Sequence, residues 1–158
     1  MNFIYKQASM KDLETRWNNL ICENFGDNRW EIWKKQITKE NKHGTVKTFF
    51  AYSGKEIIGE ATLRFENLEI NGLRVNKEYQ GQGIASGLIE FIEHWAKKQN
   101  IDHLIIGVEP CEIRNMQIYF KWGFSEFVSH KFETYPPQNE NQKSETILVL
   151  YYKKKLRD

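Results

Sequence analysis

The chain reads as an α/β protein of the α+β kind, built on a mixed, mostly antiparallel central sheet flanked by helices. Two alternating runs of β-branched and aromatic residues, 46–52 and 56–65, are separated by Ser53 and Gly54, the pattern of an antiparallel hairpin. An amphipathic stretch at 83–98 places Ile84, Leu88, Ile92 and Ala96 on one helical face. The apolar run 103–108 follows it closely. A strand, a crossover helix and a second strand in this order imply a right-handed connection between parallel strands.

The elements follow in order. Residues 3–7 form a short strand, and Ser9 with Asp12 three positions later makes a capping signal that opens a helix through about Asn19. A second helix spans 28–40, with Trp30 and Trp33 on one face and the Gly44 region as its stop. The hairpin comes next. Asn67 supplies a turn and 69–75 a third strand; after helix 83–98 and strand 103–108, helix 114–122 ends at Gly123. Strand 125–134 leads to a loop at Pro136 and Pro137. The last strand, 146–153, is almost continuously apolar, which places it inside the sheet.

With 158 residues the chain has room for one domain, 1–158, burying roughly 70% of its unfolded surface. Hydrophobic residues make up 40% and charged residues 28%, with three prolines and ten glycines, which excludes disordered and collagen-like classes. Twenty-three basic residues against 21 acidic ones leave a net charge of +2, too weak a field to imply a nucleic-acid partner. Lys153, Lys154, Lys155 and Arg157 read as a solvated tail. No apolar run approaches the ~20 residues of a membrane span, and the first residues lack the pattern of a secretory leader, so the expectation is a cytoplasmic protein without a membrane partner. Cys22 and Cys111 lie far apart, and His43, His94, His103 and His130 show no ligand spacing, so no metal site is expected.

The informative segment runs from Val75 through Gln80, Gly81, Gln82, Gly83, Ile84 and Ala85, where a strand ends and a helix begins at once. First-turn N–H groups and the helix dipole favour an anion at such a junction, and glycines let a phosphate approach the main chain. A triphosphate-binding loop would need Gly-Lys-Ser/Thr, which is absent, and a dinucleotide fingerprint would need glycine where Ser86 stands.

Gln80-Gly81-Gln82-Gly83-Ile84-Ala85 resembles the Gln/Arg-x-x-Gly-x-Gly/Ala acyl-CoA loop of the GNAT superfamily of N-acetyltransferases, and Leu73 to Tyr79 resembles its lead-in. A second motif, Tyr119-Phe120-Lys121-Trp122-Gly123-Phe124, is similar to that family's Tyr-x-Lys-x-Gly-Phe signature. The resemblance implies a sheet that splays after the strand ending near Val75, with the pantetheine arm of acetyl-CoA entering there. It assigns the arm to backbone groups of Leu73 and Val75 and the pyrophosphate to the amides of Gln82, Gly83, Ile84 and Ala85, with Gln80 and Gly81 shaping the loop. Two departures stand out. Gln80 replaces a common arginine, and Glu112 stands seven residues before Tyr119 where an asparagine is usual, while Asn115, the candidate for pantetheine contact, lies only four before it.

Acetyl transfer needs a neutral amine, and an alkylamine with pKa near ~10.4 is protonated at pH 7. A carboxylate within reach, directly or through water, can take that proton. Glu69 is the candidate, matching a glutamate that serves as base in some family members, with Glu60 and Glu109 in reserve. It is read as sharing a strand face with Asn71, Leu73 and Val75. Tyr119 is the candidate acid for the departing thiolate. Cys111 reads as a small buried residue rather than an acyl-carrying nucleophile. The acceptor site is expected among Trp17, Phe25, Trp30, Trp33 and Tyr135, where five acids against three bases over residues 11–31 suit a cationic amine of a small molecule or peptide. The oligomeric expectation is a monomer or homodimer, and the competing functional class is an acyl-CoA sensor without turnover.

Overall fold

The computed structural model describes residues 2–157. Strand β1 (Ile4–Gln7) is followed by helices α1 (Met10–Glu23) and α2 (Arg29–His43) and by strands β2 (Val46–Ser53), β3 (Glu56–Arg64) and β4 (Glu69–Val75). A 3-10 turn at Lys77–Tyr79 leads to α3 (Ile84–Lys98), then β5 (His103–Val108), α4 (Ile113–Lys121), β6 (Glu126–Tyr135) and β7 (Glu145–Lys155). The element order is the one expected. One seven-stranded sheet runs β1-β2-β3-β4-β5-β7-β6. All neighbours are antiparallel except β4 and β5, and β7 lies inside the sheet.

Local chemistry accounts for the boundaries. Ser9 Oγ accepts the Asp12 N–H at 3.0 Å and starts α1. The helix runs four residues past its expected end because Leu13, Arg16, Trp17 and Leu20 keep one face buried, and Asn24 closes it with Nδ2 on the Leu20 carbonyl at 2.8 Å. Gly44, at φ +75°, terminates α2 in the left-handed conformation that a side chain would disfavour.

Two cores cover the sheet. On the back face α3 packs Ile84, Leu88, Ile89, Ile92 and Ala96 against Phe49, Ile58, Leu63, Ile70, Leu104 and Ile106. Each fully buried Leu or Ile there stabilises the fold by roughly 1.5–3 kcal/mol. On the front face Leu13, Trp17 and Leu20 of α1 pack against Phe50 and Tyr52, with Trp30, Trp33 and Ile37 of α2 beside them.

Strand β4 carries a bulge that decides which residues face which core. Asn71 opposes Thr62 and Arg74 opposes Glu60, so three steps along β4 match two along β3, and Gly72 sits at φ +61° in the extra turn of chain. Ile70 points into the back core, so Glu69 and Asn71 face front. Beyond the bulge the alternation is reset, and Leu73 and Val75 pack against the back core. The expectation that Glu69 shares a face with Leu73 and Val75 is therefore corrected.

The basic cluster ends a strand, as expected, but its lysines at 153 and 154 are ion-paired and not a freely solvated tail. Lys153 pairs with Glu126 at 3.0 Å and Lys154 with Glu93 at 2.6 Å, both from within β7, and Arg157 donates to the Lys97 carbonyl. These residues finish a central strand. Cys111 is exposed rather than buried, with Sγ 3.7 Å from Glu109 Oε2.

Candidate active site

The parallel ladder between β4 and β5 has two rungs, Glu69 with Ile105 and Ile70 with Ile106. Past Ile70, β4 is held only by β3, and past Ile106, β5 is held only by β7. The two strands diverge and open a cleft through the middle of the sheet. Asn76 gives its N–H to the Ile58 carbonyl on β3 at 2.8 Å, so by antiparallel alternation the main-chain groups of Val75 turn toward the cleft.

The loop expected to hold an anion borders this opening. Gly81 and Gly83 sit at φ +77° and +80°, and a Cβ at either would meet nothing within 4 Å. Their glycine requirement is conformational, and the space above the backbone is open. Gly83 caps α3 without a side-chain hydrogen bond, and no acidic residue lies in the first turn. The first-turn amides are thus left for an external acceptor. Gln80 Nε2 binds the Val75 carbonyl at 3.0 Å and pins the loop to the end of β4, and Gln82 Nε2 reaches the Glu78 carbonyl at 3.4 Å. Ile84 is buried in the back core, while Ala85 is half-buried. Only main-chain atoms of Ile84 can meet a ligand.

Tyr119 is half-buried on α4, against the back core and 5.7 Å from the Trp122 ring centre. Its hydroxyl has no hydrogen-bond partner among the described residues. Burial, reinforced by Glu112, pushes its pKa above the ordinary tyrosine value, so it keeps its proton at neutral pH. Asn115 lies one turn before it, with Nδ2 3.2 Å from Glu112 Oε1.

Glu69 lies on the front face at the first rung of the two-rung ladder. Burial raises its pKa above the usual carboxylate range, against the opposing effects of the Asn67 hydrogen bond and the Arg64 charge. Glu69 and Tyr119 belong to opposite faces of the sheet.

Glu60 cannot serve as a base. It is buried at 3% exposure, paired with Arg16 on one oxygen and with Arg74 at 2.6 Å on the other. Two guanidinium groups occupy both oxygens and leave it no route to a substrate proton. The Arg74 guanidinium also lies 5.2 Å from the ring centres of both Trp17 and Trp30, so these aromatics pack an ion network instead of lining an open pocket. Phe25 is 95% exposed.

The front face beside Glu69 also carries Tyr151 and Glu133, which sequence reasoning passed over, and Tyr135, which it named for the acceptor site. The Tyr151 hydroxyl donates to Glu133 Oε1 at 2.8 Å, and burial pushes the Tyr151 pKa up, helped by that bond and by the charges of Glu69 and Glu133. Burial raises Tyr135 too, with Glu109, Glu133, Glu69 and Glu112 adding to it. The hint in the sequence is period-two alternation, which sets Lys131 with Glu133 and Val149 with Tyr151 on common strand faces. Further out, a cavity of about 450 Å³ is lined by Arg29, Pro136, Pro137, Gln138, Lys143 and Glu145. The Asn28 N–H binds the Gln138 carbonyl at 2.8 Å and ties the two loops bordering it. Among the described residues no group of three His, Cys, Asp or Glu side chains could hold a metal ion, and no helix is long and apolar enough to cross a membrane.

The sequence profile of the acetyltransferase (GNAT) family matches residues 9–124, which include the splayed strands, the glycine loop and Tyr119. The chain belongs to the GNAT acetyltransferase family. Over 67 residues it is 28% identical to human N-acetyltransferase 8B, a match spanning 42% of this chain and 30% of that protein. This GNAT chain thus matches under a third of the length of that relative. Its fold is similar to that of the ribosomal-protein-S18-alanine N-acetyltransferase of Escherichia coli, with a TM-score of 0.72 and 15% identity over 99% of this chain and 96% of that one. It is also similar to a GNAT family acetyltransferase from Elizabethkingia anophelis solved with acetyl-CoA bound, with a TM-score of 0.67 and 19% identity over 98% of each chain.

Proposed function

We propose that this GNAT chain transfers an acetyl group from acetyl-CoA to a primary amine by direct attack in a ternary complex. The observation that carries this reading is the coincidence of the two-rung β4–β5 ladder with an uncapped α3 N-terminus whose glycine loop opens onto the same gap. The pyrophosphate binds the amides of Gln82, Gly83, Ile84 and Ala85, with Gln80 and Gly81 holding the loop in shape. The pantetheine arm runs along the gap beside the main chain of Leu73 and Val75, with Asn115 at its outer side.

Glu69 accepts the proton of the incoming ammonium, directly or through one water. The freed lone pair attacks the thioester carbonyl carbon, the carbon–sulfur bond breaks, and Tyr119 gives its phenolic proton to the departing thiolate. A phenol near pKa ~10 is protonated at pH 7 and can donate to a thiolate of pKa ~8.5. The attacking nitrogen gives up its second proton as the amide forms, through water to the Tyr119 phenolate, and Glu69 releases the ammonium proton to solvent.

The acceptor in this reading is a cationic primary amine of a small molecule or peptide, drawn to the front face by Glu69 and Glu133. The test is release of free thiol from acetyl-CoA across a panel of amines. Release with polyamines or lysine-like amines, and none without amine, supports the proposal. Tight coenzyme binding with silence across the panel would make the chain a sensor.

A further inference from the structure

Three rows of polar side chains cross the front face of the sheet from the covering helices toward β4. In the first, Arg16 of α1 binds one oxygen of Glu60, and Arg74 of β4 binds the other at 2.6 Å. In the second, Glu40 of α2 pairs with Arg64 at 3.0 Å, and Arg64 stands opposite Glu69. In the third, Asn41 of α2 donates to Thr48 Oγ1 at 3.0 Å, and that hydroxyl lies 3.0 Å from Thr62 Oγ1, with Thr62 opposite Asn71. There the row stops. The Asn71 side chain is half-buried and makes no hydrogen bond among the described residues. A carboxamide carries two N–H donors and a carbonyl acceptor, and groups of this kind are costly to leave unmade away from bulk water.

Asn71 is also the first residue of β4 beyond the two-rung ladder, at the mouth of the gap. It shares the front face with Glu69, two steps back along a regular stretch of strand, so the two side chains start about 6–7 Å apart. A nitrogen atom between them is within hydrogen-bond reach of both. The bulge at Gly72 follows at once, and the next front-facing side chain, Arg74, is already held by Glu60. Across the gap, two steps beyond the Ile105 rung, β5 has Gly107, where a Cβ would stand 2.8 Å from Val149 and 3.0 Å from the Tyr151 ring. The Tyr151 hydroxyl is given to Glu133. Arg74 and Tyr151 are thus committed, which leaves Asn71 beside Glu69 to meet an incoming amine.

We propose that Asn71 is a further catalytic residue: its Oδ1 accepts an N–H of the acceptor amine and holds the nitrogen over the gap while Glu69 takes the proton. The inference rests on the acetyl transfer proposed above, with Glu69 as its base. Of the three N–H protons of the ammonium, one leaves for Glu69 and one leaves as the amide forms. The third stays on nitrogen in the product, and this is the one Asn71 holds. A carboxamide removes no proton, and being uncharged it does not favour the ammonium form as a second carboxylate would.

The test varies the amine at saturating acetyl-CoA in the thiol-release assay. Asn71→Leu keeps the volume and removes the hydrogen bond. Its kcat/KM for the amine should fall about 10- to 100-fold, while calorimetry returns the native coenzyme Kd and a melt the native Tm. Asn71→Asp keeps the acceptor and adds a charge that holds the ammonium, so its acid limb should move to higher pH, with a plateau well above that of Asn71→Leu. This pH signature decides the matter even where Asn71→Leu does not fold. Native kcat/KM in Asn71→Leu, a loss that falls on the coenzyme Kd instead, or an Asn71→Asp profile that is unshifted would each overturn the role of Asn71 and leave acetyl transfer standing. A native chain that releases no thiol with any amine would overturn both.

Discussion

Asn67 donates from Nδ2 to Glu69 Oε2 across 2.9 Å, while its own Oδ1 lies buried without a partner. The next residue, Leu68, sits at φ +59°, and its carbonyl accepts the Ile105 N–H at 2.9 Å at the start of the two-rung ladder. One turn therefore aims the carboxylate and closes the base of the cleft. The Asn67 hydrogen bond favours the ionised form of Glu69. Asn67→Ala should move the acid limb of the kcat/KM profile to higher pH, while the plateau at higher pH is retained. Unchanged pH dependence would remove Asn67 from the mechanism.

Burial of Glu69 gives a stability prediction of definite sign. Its folded-state pKa lies above the ordinary carboxylate value, so the fold disfavours the charged form. That cost is absent below the unfolded pKa, where the group is protonated in both states, and is complete once the pH passes the folded pKa. Glu69→Gln should raise Tm at pH 8 and lose that advantage toward pH 4, while abolishing the base. Thermal melts across this range, paired with the thiol-release assay, measure both effects.

Removing the Tyr119 hydroxyl takes away the proposed acid without opening a cavity. Tyr119→Phe should cut kcat by roughly 100- to 10,000-fold, the usual contribution of a positioned proton donor. Coenzyme affinity measured by calorimetry should stay as it was, because the ring still packs beside Trp122.

Gly83→Ala tests the loop through its backbone. No neighbour obstructs the added methyl, but φ +80° costs a side chain about 1–2 kcal/mol. Escape from that strain shifts the first-turn amides, and the coenzyme Kd should rise roughly 5- to 30-fold. An unaltered Kd would place the pyrophosphate elsewhere.

Glu60→Ala leaves Arg16 buried at 3% exposure without its carboxylate. Breaking a buried pair from one side costs about 3–5 kcal/mol, which a urea titration would read as a large drop in midpoint. A small effect would mean that water reaches the Arg16 site.

These contrasts also show how much a single chain discloses before it folds. Hydrophobic period and turn chemistry placed every strand and helix, because Gly44, Gly83 and Gly123 end or begin elements through their own conformations. The strand–loop–helix junction at the glycine loop was legible for the same local reason, whereas Tyr119 was singled out only by its resemblance to a family motif. The roles of Glu60 and of the face beyond Gly72 were not. Glu60 meets partners 44 and 14 residues away, and a bulge exists only relative to the register of the neighbouring strand. Gly72 inside a strand run was the available hint. Asn19 misled the end of α1, since a side chain that favours turns yields to a helix face already buried at Trp17 and Leu20.

The gap after Ile70 and Ile106 is made by omission, through hydrogen bonds that two strands never form. The grip on the coenzyme proposed for it uses main-chain atoms and would be indifferent to the side chains around it. The outer walls, from the Arg29 turn to the Pro136–Pro137 loop, can therefore be rewritten to admit a new acceptor while the floor of the molecule stays as it is.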